Sequence, residues 1–405
     1  MTIVIGLVHL LLLCGIGAMT PSTGAMTATP RARVRPSLGR ELVGSVAMPA
    51  IIGSLLVASI VQKDVEDIEG FVARKVPTDL AHAVRDSRLA WKIFTVFQSL
   101  GGLAAVTARV VEDRGLPWTA VLRELFAAYG AASDKTTRVT LDDSVSVEMV
   151  RHGDRSSASD SSSKGACVLF VPGGAWSSGD DARLWRVFAH NVLVQNEGVS
   201  AVGIVEYAPY PLFDGAGMCA AVADALQWAL ADATASEFAY EVDEVIVVGQ
   251  SAGAHLAAVA LLDDAAARHP RAALLCSGAY DLDAHVAHES FRGVVHVSAL
   301  SAAFPVADHP TFSPTVLARE ARTAPPVRIS LFHGDSDRTV PPTSTSAFFT
   351  ELEALKERVD VPLFSVESHT LEHTGHLEYM LAASTPRACG GELFRCINAL
   401  VGDPR

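Results

Sequence analysis

Residues 246–257 read IVVGQSAGAHLA and place a serine between two glycines, directly after a run of β-branched apolar residues. The run Val245–Val248 is typical of a buried parallel strand, and the residues after the serine have helical spacing. A strand-to-helix turn this tight strains the backbone at its tip and crowds its neighbours, so Gly249 and Gly253 flank Ser251. The pattern predicts a G-x-S-x-G turn that exposes the Ser251 hydroxyl at the edge of a sheet as a nucleophile.

A serine nucleophile needs an acid and a base, which in this arrangement follow it in that order along the chain. Residues 331–342, LFHGDSDRTVPP, lie at the end of a predicted strand and contain two aspartates. Asp337 is the predicted acid and Asp335 is the alternative. An aspartate in such a loop can also cap the helix that follows.

Three histidines come after Asp337, all within SHTLEHTGHLEYM at 368–380. The base is expected on the loop after the last strand, close to the start of a helix. His376 follows a glycine and precedes a helical stretch, whereas His369 falls close to the strand. His373 is a close rival, and spacing alone does not separate it from His376.

Residues 170–180, FVPGGAWSSGD, form a glycine-rich loop after an earlier predicted strand. Acyl transfer requires backbone N–H groups aimed at the developing oxyanion, and glycine lets a backbone approach a substrate closely. We expect these donors from Gly173, Gly174 and Ala175, together with Ala252 directly after the nucleophile. Each donor is typically worth about 3–4 kcal/mol in the transition state.

From residue 137 the sequence alternates short β-rich runs with helical runs. An opening hairpin, TRVTLDDSVSVEMVRHG, precedes six strand signals: ACVLFVPG, VSAVGIVEY, DEVIVVGQ, AALLCSGAY, PVRISLFHG and PLFSVES. Helices are expected near 182–196, 216–231, 252–263, 343–357 and 391–401. The alternation predicts an α/β protein, with a mostly parallel sheet of about eight strands covered by helices and a site at the strands' carboxyl ends.

Composition limits the classes of function. The net charge of −13 would repel nucleic-acid phosphates, and the chain has neither a basic stripe nor a Walker-type phosphate loop, so no nucleic-acid partner is expected. The six cysteines form no CxxC pair, and we interpret them as small buried apolar groups rather than as disulfides. We expect no metal and no organic cofactor.

A hydrophobic region at 1–130 precedes the predicted catalytic domain at 131–405. Segments 3–19, 43–61 and the shorter 93–108 are apolar, and about 20 such residues span a bilayer. We expect membrane attachment through these segments. The first can also be interpreted as a cleavable signal peptide, and the other two as buried helices of a soluble region.

The segments FVPGGAW, VGQSAGAHLAAVALL, SGAYDLDAHVAHESFRG and HGDSDRTVP resemble the α/β-hydrolase esterases, and among these the isoprenylcysteine α-carbonyl methylesterases. The resemblance covers about residues 165–400. It implies an α/β-hydrolase fold with a small cap at about 281–322, Ser251 as nucleophile and Asp337 as acid. The family's base lies in a His-Thr pair followed by an acidic residue, but here His373-Thr374 is followed by Gly375. EYAPYP at 206–211 also departs from the family's Asp-Tyr-Arg.

The resemblance implies hydrolysis of the methyl ester on a prenylated C-terminal cysteine. Candidate substrate contacts are Trp176, Gln250, Tyr280 and Phe291. A prenyl chain would need an apolar groove, which the cap could line with Phe291, Val294, Val295, Leu300 and Phe304.

A general short-acyl carboxylesterase or an aryl-formamide hydrolase would use the same glycine-rich loop and the same G-x-S-x-G turn, which is called a nucleophile elbow. A rival of another class is a catalytically inactive, membrane-tethered binding module. Because a lipidated substrate lies in a membrane, we expect an enzyme on the endoplasmic reticulum or Golgi membrane, with its catalytic domain facing the cytosol.

Overall fold

The computed structural model describes residues 136–151, 165–178, 182–263, 266–376, 379–380 and 391–402, together with the single residues 85 and 120. The predicted membrane segments therefore lie outside the described residues. Within the described part of the chain, no helix has both the length and the apolar character needed to cross a bilayer.

Eight strands form one sheet in the order β1-β2-β4-β3-β5-β6-β7-β8. They are β1 (Thr136–Thr140), β2 (Val145–Arg151), β3 (Gly165–Val171), β4 (Val199–Tyr207), β5 (Tyr240–Gln250), β6 (Ala272–Cys276), β7 (Arg328–Gly334) and β8 (Ser365–Leu371). The pairs β1–β2 and β2–β4 are antiparallel, and all other neighbours are parallel. The predicted sheet of about eight mostly parallel strands is confirmed.

Strand β3 shows why the central strands are apolar throughout. Cys167, Leu169 and Val171 face one buried cluster, while Ala166, Val168 and Phe170 face the other. Successive side chains of a strand point to opposite faces, so a strand covered on both sides needs an unbroken apolar run. The unbroken apolar sequence of β3 therefore indicates that the sheet is covered on both faces.

Ten α-helices are described. They are α1 (Arg186–Gln195), α2 (Gly215–Ala229), α3 (Asp232–Phe238), α4 (Ala252–Leu261), α5 (Leu282–Arg292), α6 (Leu300–Ala303), α7 (His309–Phe312), α8 (Pro314–Glu320), α9 (Thr343–Arg358) and α10 (Gly391–Gly402). Helices α5 to α8 occupy the predicted cap segment. Asp281 caps α5 by accepting a hydrogen bond from the Ala284 amide, and Gly293 ends the helix in the left-handed conformation at φ 75°.

The last strand differs from its prediction by three residues. PLFSVES predicts a strand at 362–368, whereas β8 is Ser365–Leu371. The Phe364 amide donates to the Val361 carbonyl and Leu363 has a φ of 70°, so Pro362 and Leu363 form a turn instead. The shift places His369 inside the strand, where it stacks on Phe332 with ring centroids 4.6 Å apart.

Four cysteines lie among the described residues, and all four are free thiols: Cys167, Cys219, Cys276 and Cys396. The first three are buried in the cores, as the sequence interpretation expects. Cys14 and Cys389 lie outside the described residues.

Candidate active site

Ser251 lies between the end of β5 and the start of α4, with φ 54° and ψ −123°. This is a strained conformation for a residue with a side chain, and it persists only where the surroundings enforce it. A Cβ on Gly249 would lie 2.7 Å from the Ala254 Cα, and one on Gly253 would lie 2.1 Å from the Val171 carbonyl oxygen. Both glycines are therefore required for α4 to fold back against the sheet.

Ser251, His376 and Asp337 form one hydrogen-bonded chain. Nε2 of His376 lies 2.8 Å from the Ser251 Oγ, and its Nδ1 lies 2.7 Å from the Asp337 Oδ2. Because a carboxylate only accepts, Nδ1 carries the hydrogen and Nε2 presents its lone pair to the serine hydroxyl. This is the tautomer that a general base needs in order to take the proton of Ser251.

The Asp337 carboxylate is buried and held by several donors. Its Oδ1 accepts from the amides of Thr339 and Val340 at 2.9 and 3.0 Å. Burial acts to raise the pKa of Asp337, but attraction to His376 and hydrogen bonds from His333 and His376 outweigh it and lower the pKa below its ordinary value. The acid therefore stays ionised at neutral pH.

The loops after β7 and β8 are joined by hydrogen bonds that align Asp337 with His376. The Asp335 amide donates to the Leu371 carbonyl at 3.0 Å, and the Ser336 amide donates to the Thr374 carbonyl at 3.1 Å. Asp335, the alternative acid, is exposed and accepts at long range from the Thr374 amide, 3.4 Å away. Asp335 therefore supports the turn after β8 and is not part of the hydrogen-bonded triad of Ser251, His376 and Asp337.

His373, the rival base, is exposed and has a φ of 53°. The two histidines lie on one short turn, but the structure brings only His376 to Ser251. The positive φ at His373 turns the backbone between β8 and Gly375.

A second histidine contacts the acid, and sequence reasoning did not assign it a role. His333 is 2% exposed, and its Nε2 lies 2.9 Å from the Val340 carbonyl oxygen and 3.1 Å from the Asp337 Oδ2. Both partners are acceptors, so this nitrogen carries a hydrogen. The spacing of four residues between His333 and Asp337 was visible in the sequence, but only the turn after β7 shows that the two side chains meet.

The glycine-rich loop lies against the nucleophile. A Cβ on Gly173 would lie 2.8 Å from the Ser251 Cβ and 2.2 Å from the Gln250 Oε1. Gly174 has a φ of 145° and its carbonyl accepts from the amides of Ser177 and Ser178, which closes the loop as a turn. The amide of Ala252 is in the first turn of α4, where N–H groups have no partner within the helix. Gly173 and Ala252, two of the four predicted oxyanion donors, therefore lie against Ser251.

Two tyrosines of the segment 206–211 support this loop. The Tyr207 hydroxyl donates to the Pro172 carbonyl at 3.0 Å, and the Tyr210 amide donates to the Trp176 carbonyl at 2.8 Å. The segment lacks the arginine found in the resembled family. Here a tyrosine hydroxyl and a main-chain amide hold the loop.

A buried chain of hydrogen bonds joins the loop to the cap. The Trp176 Nε1–H donates to the His255 Nδ1 at 3.2 Å, and the His255 Nε2 lies 2.7 Å from the Phe312 carbonyl oxygen. Burial lowers the pKa of His255 to about 4, so the imidazole is neutral and can both accept from Trp176 and donate to Phe312. His255 lies one helical turn after Ser251, a signal that is readable in GQSAGAH.

The four predicted substrate contacts lie in different surroundings. Trp176 and Gln250 are buried, and Gln250 directly precedes Ser251 in the sequence. Tyr280 is fully buried and stacks on Phe348 with centroids 4.5 Å apart. Phe291 is 91% exposed, so it would meet only a substrate that extends over the outside of the cap.

Of the other apolar cap residues, Leu300 and Phe304 are fully buried in the main core, and Val294 is 5% exposed. A groove lined by these three side chains is therefore not formed in the described structure. Val295 is half-buried and stays a candidate lining residue.

The described residues also place three possible metal ligands, His369, Glu392 and Cys396, within 4.8 Å of one another. Glu392 pairs with Arg395, and burial together with Glu392 and Glu367 raises the pKa of Cys396 to about 11. None of the three takes part in the hydrogen bonds that join Ser251, His376 and Asp337. The absence of a metal stays a prediction.

Three kinds of comparison with known proteins bear on this arrangement. A family model described as BD-FAE matches residues 156–324. The chain is 29% identical over 220 residues to an isoprenylcysteine alpha-carbonyl methylesterase of Arabidopsis thaliana, covering 50% of each protein. It is 31% identical over 220 residues to a probable isoprenylcysteine alpha-carbonyl methylesterase of Oryza sativa subsp. japonica, again 50% of each. The chain thus spans about half the length of the curated relatives it matches, and the predicted resemblance is confirmed.

Solved structures agree on the architecture. A thermostable esterase from Pseudomonas putida superposes with a TM-score of 0.51 at 16% identity, over 74% of this chain and 94% of that one. An esterase from Pyrobaculum calidifontis gives a TM-score of 0.52 at 13% identity, over 72% and 97%. The chain has the α/β-hydrolase fold. This fold explains why a serine, an aspartate and a histidine far apart in the sequence meet at the carboxyl ends of β5, β7 and β8.

Proposed function

We propose that the protein is a serine esterase, and that its substrate is the methyl ester of a prenylated C-terminal cysteine. The observation that carries the esterase proposal is the Ser251–His376–Asp337 chain, with hydrogen-bond distances of 2.8 and 2.7 Å. The methyl ester is supported by the resemblance to the plant methylesterases, which share 29% and 31% identity over half their length.

The mechanism follows from the tautomer of His376. The Ser251 Oγ attacks the ester carbonyl carbon while His376 Nε2 takes its proton, and the imidazolium is stabilised by Asp337. Amides of Ala252 and of the glycine loop stabilise the oxyanion. His376 then gives the proton to the departing methanol oxygen, and a water activated by the same nitrogen hydrolyses the acyl-enzyme.

Membrane attachment is part of the proposal. A prenylated substrate partitions into a bilayer, so an enzyme anchored through 3–19, 43–61 or 93–108 would meet it at high local concentration. A catalytic domain on the cytosolic side of the endoplasmic reticulum or Golgi would reach prenylated protein tails.

The test is methanol release from farnesylcysteine methyl ester by the detergent-solubilised protein, with a short p-nitrophenyl ester in parallel. We expect strong preference for the prenylated ester and no release by Ser251→Ala. Turnover of the short ester alone would support the proposed esterase activity but contradict the proposed prenylated substrate. Failure of a fluorophosphonate probe to label the folded protein at Ser251 would reject catalysis altogether and favour a binding module.

A further inference from the structure

Helix α5 of the cap carries a buried imidazole that the catalytic chain does not use. His285 is 6% exposed, and its ring centroid lies 6.0 Å from that of Trp176 in the oxyanion loop. Among the residues that the structure describes, its Nδ1 has no hydrogen-bond partner. A buried polar atom without a partner costs free energy, so a ligand group that donates a hydrogen bond to this nitrogen would be stabilised there.

The other ring nitrogen faces a carboxylate. Nε2 of His285 lies 3.7 Å from the Glu289 Oε1, one helical turn further along α5, and that oxygen accepts from the Ser298 hydroxyl at 2.7 Å. Burial lowers the pKa of His285 to about 3, and the charges of His288, His376 and Arg292 act in the same direction. The ring is therefore neutral at neutral pH. The carboxylate favours the hydrogen on Nε2, which leaves Nδ1 as an acceptor.

Two observations connect His285 with the active site. Its ring packs against Trp176 of the glycine-rich loop, with centroids 6.0 Å apart, and the charges of His376 and Asp337 act on it.

We infer that Nδ1 of His285 accepts a hydrogen bond from an N–H or O–H group of the substrate close to the scissile carbonyl, and so selects α-amido esters. In an α-amido methyl ester the N–H is attached to the carbon next to the carbonyl, as at the C-terminal residue of a peptide methyl ester. The inference rests on the proposed esterase function. It adds that the amide, and not only an apolar tail, is recognised.

The experiment compares three methyl esters that differ at one position. The first is an N-acetyl amino-acid methyl ester, the second its N-methyl derivative, and the third the analogue with CH₂ in place of N–H. The wild-type protein should hydrolyse the first with a kcat/KM about tenfold higher than the other two, as one hydrogen bond would give. His285→Leu should lose this tenfold preference, so that its kcat/KM values for the three esters differ by no more than about twofold.

His288 supplies a matched control on the same helix. Its Nε2 is already bonded to the Arg338 carbonyl oxygen at 2.9 Å, so His288→Leu should retain the preference for the N–H ester. His285→Gln, which keeps an acceptor, should retain part of it.

Equal hydrolysis of all three esters by the wild-type protein would overturn the inference without any variant. An equal loss on all three in His285→Leu would do the same, because it would assign His285 a packing role with water on Nδ1. Failure of the proposed esterase function is distinct from either result. It would appear as a wild-type protein that hydrolyses none of the esters and is not labelled at Ser251.

Discussion

His376 joins Ser251 to Asp337 through both of its ring nitrogens, so its loss removes the base and separates the acid from the nucleophile. We expect His376→Ala to lower kcat by roughly four orders of magnitude or more, with little change in KM. His373→Ala changes an exposed residue on the same turn and should stay within about twofold of wild type. Ester hydrolysis and thermal unfolding, measured on both variants, check this. Similar residual activity in the two would show that the base is misassigned.

His333 acts through Asp337 and is a positioning residue. His333→Phe removes an N–H beside the Asp337 Oδ2, so the pKa of Asp337 should rise from its lowered value and its hold on His376 should change. We expect kcat to fall roughly tenfold with KM unchanged, and the acid limb of the pH–rate profile to move to higher pH. His333→Gln, which can still donate, should restore much of the activity. A uniform loss with an unshifted profile would mean that His333 only fills space.

Asp337 also links residue chemistry to stability. Its pKa is lowered in the folded protein, so its contribution to the free energy of unfolding is present above its ordinary pKa of about 4 and is lost as pH falls below that value. Asp337→Asn should therefore have a flatter dependence of unfolding free energy on pH between 6 and 3. Chemical denaturation at several pH values measures this slope. A slope equal to that of the wild type would contradict the lowered pKa.

At the scale of elements, the oxyanion loop works because its backbone lies against α4 and the nucleophile. Gly173→Ala would place a methyl group 2.2 Å from the Gln250 Oε1 and 2.8 Å from the Ser251 Cβ, which pushes the loop away from the reacting carbonyl. We expect kcat to fall by about 10²-fold, as for the loss of one oxyanion donor. Single-turnover acylation by a p-nitrophenyl ester measures the step directly.

Gly293→Ala is the control for this loop variant. Gly293 has a φ of 75° with nothing within 4 Å of an added Cβ, so alanine strains the end of α5 without a clash. Its cost should be about 1 kcal/mol in stability with catalysis unchanged. If Gly173→Ala and Gly293→Ala had the same kcat, the close approach of the glycine-rich loop to Ser251 would not be important for catalysis.

The elements were predictable where the signal is local. The elbow at Ser251, the strands around it and the order of nucleophile, acid and base can all be read from short runs and their sequence order. The choice between His373 and His376 could not be made this way, since it depends on a left-handed residue in the turn after β8. The start of β8 was misplaced because the turn at Leu363 depends on backbone geometry that its apolar character conceals.

At the scale of the whole molecule, three histidines outside the catalytic chain meet the site from different elements. His333 comes from β7, His255 from α4 and His285 from α5. The strand order and the cap bring them together across long separations in sequence, so no local pattern could group them. The parallel arrangement of β5, β7 and β8 sends their carboxyl ends to one edge, where the acid, the base and the nucleophile converge.

Two of these histidines should make the folded domain sensitive to mild acid. Burial lowers the pKa of His255 to about 4 and, with neighbouring positive charges, that of His285 to about 3, against about 6.5 in the unfolded chain. As pH falls from 7.5 to 5, each of these histidines takes up a proton in the unfolded chain but stays neutral in the folded domain. The free energy of unfolding therefore falls by about 2 kcal/mol for each histidine. His255→Gln and His285→Gln should each lose about 2 kcal/mol less than the wild type in chemical denaturation, whereas exposed His373→Gln should follow the wild type. Identical losses in all four proteins would mean that both imidazoles are protonated in the folded domain. A protonated His255 could not accept a hydrogen bond from Trp176, so the hydrogen-bonded connection between the glycine-rich loop and the cap would be broken.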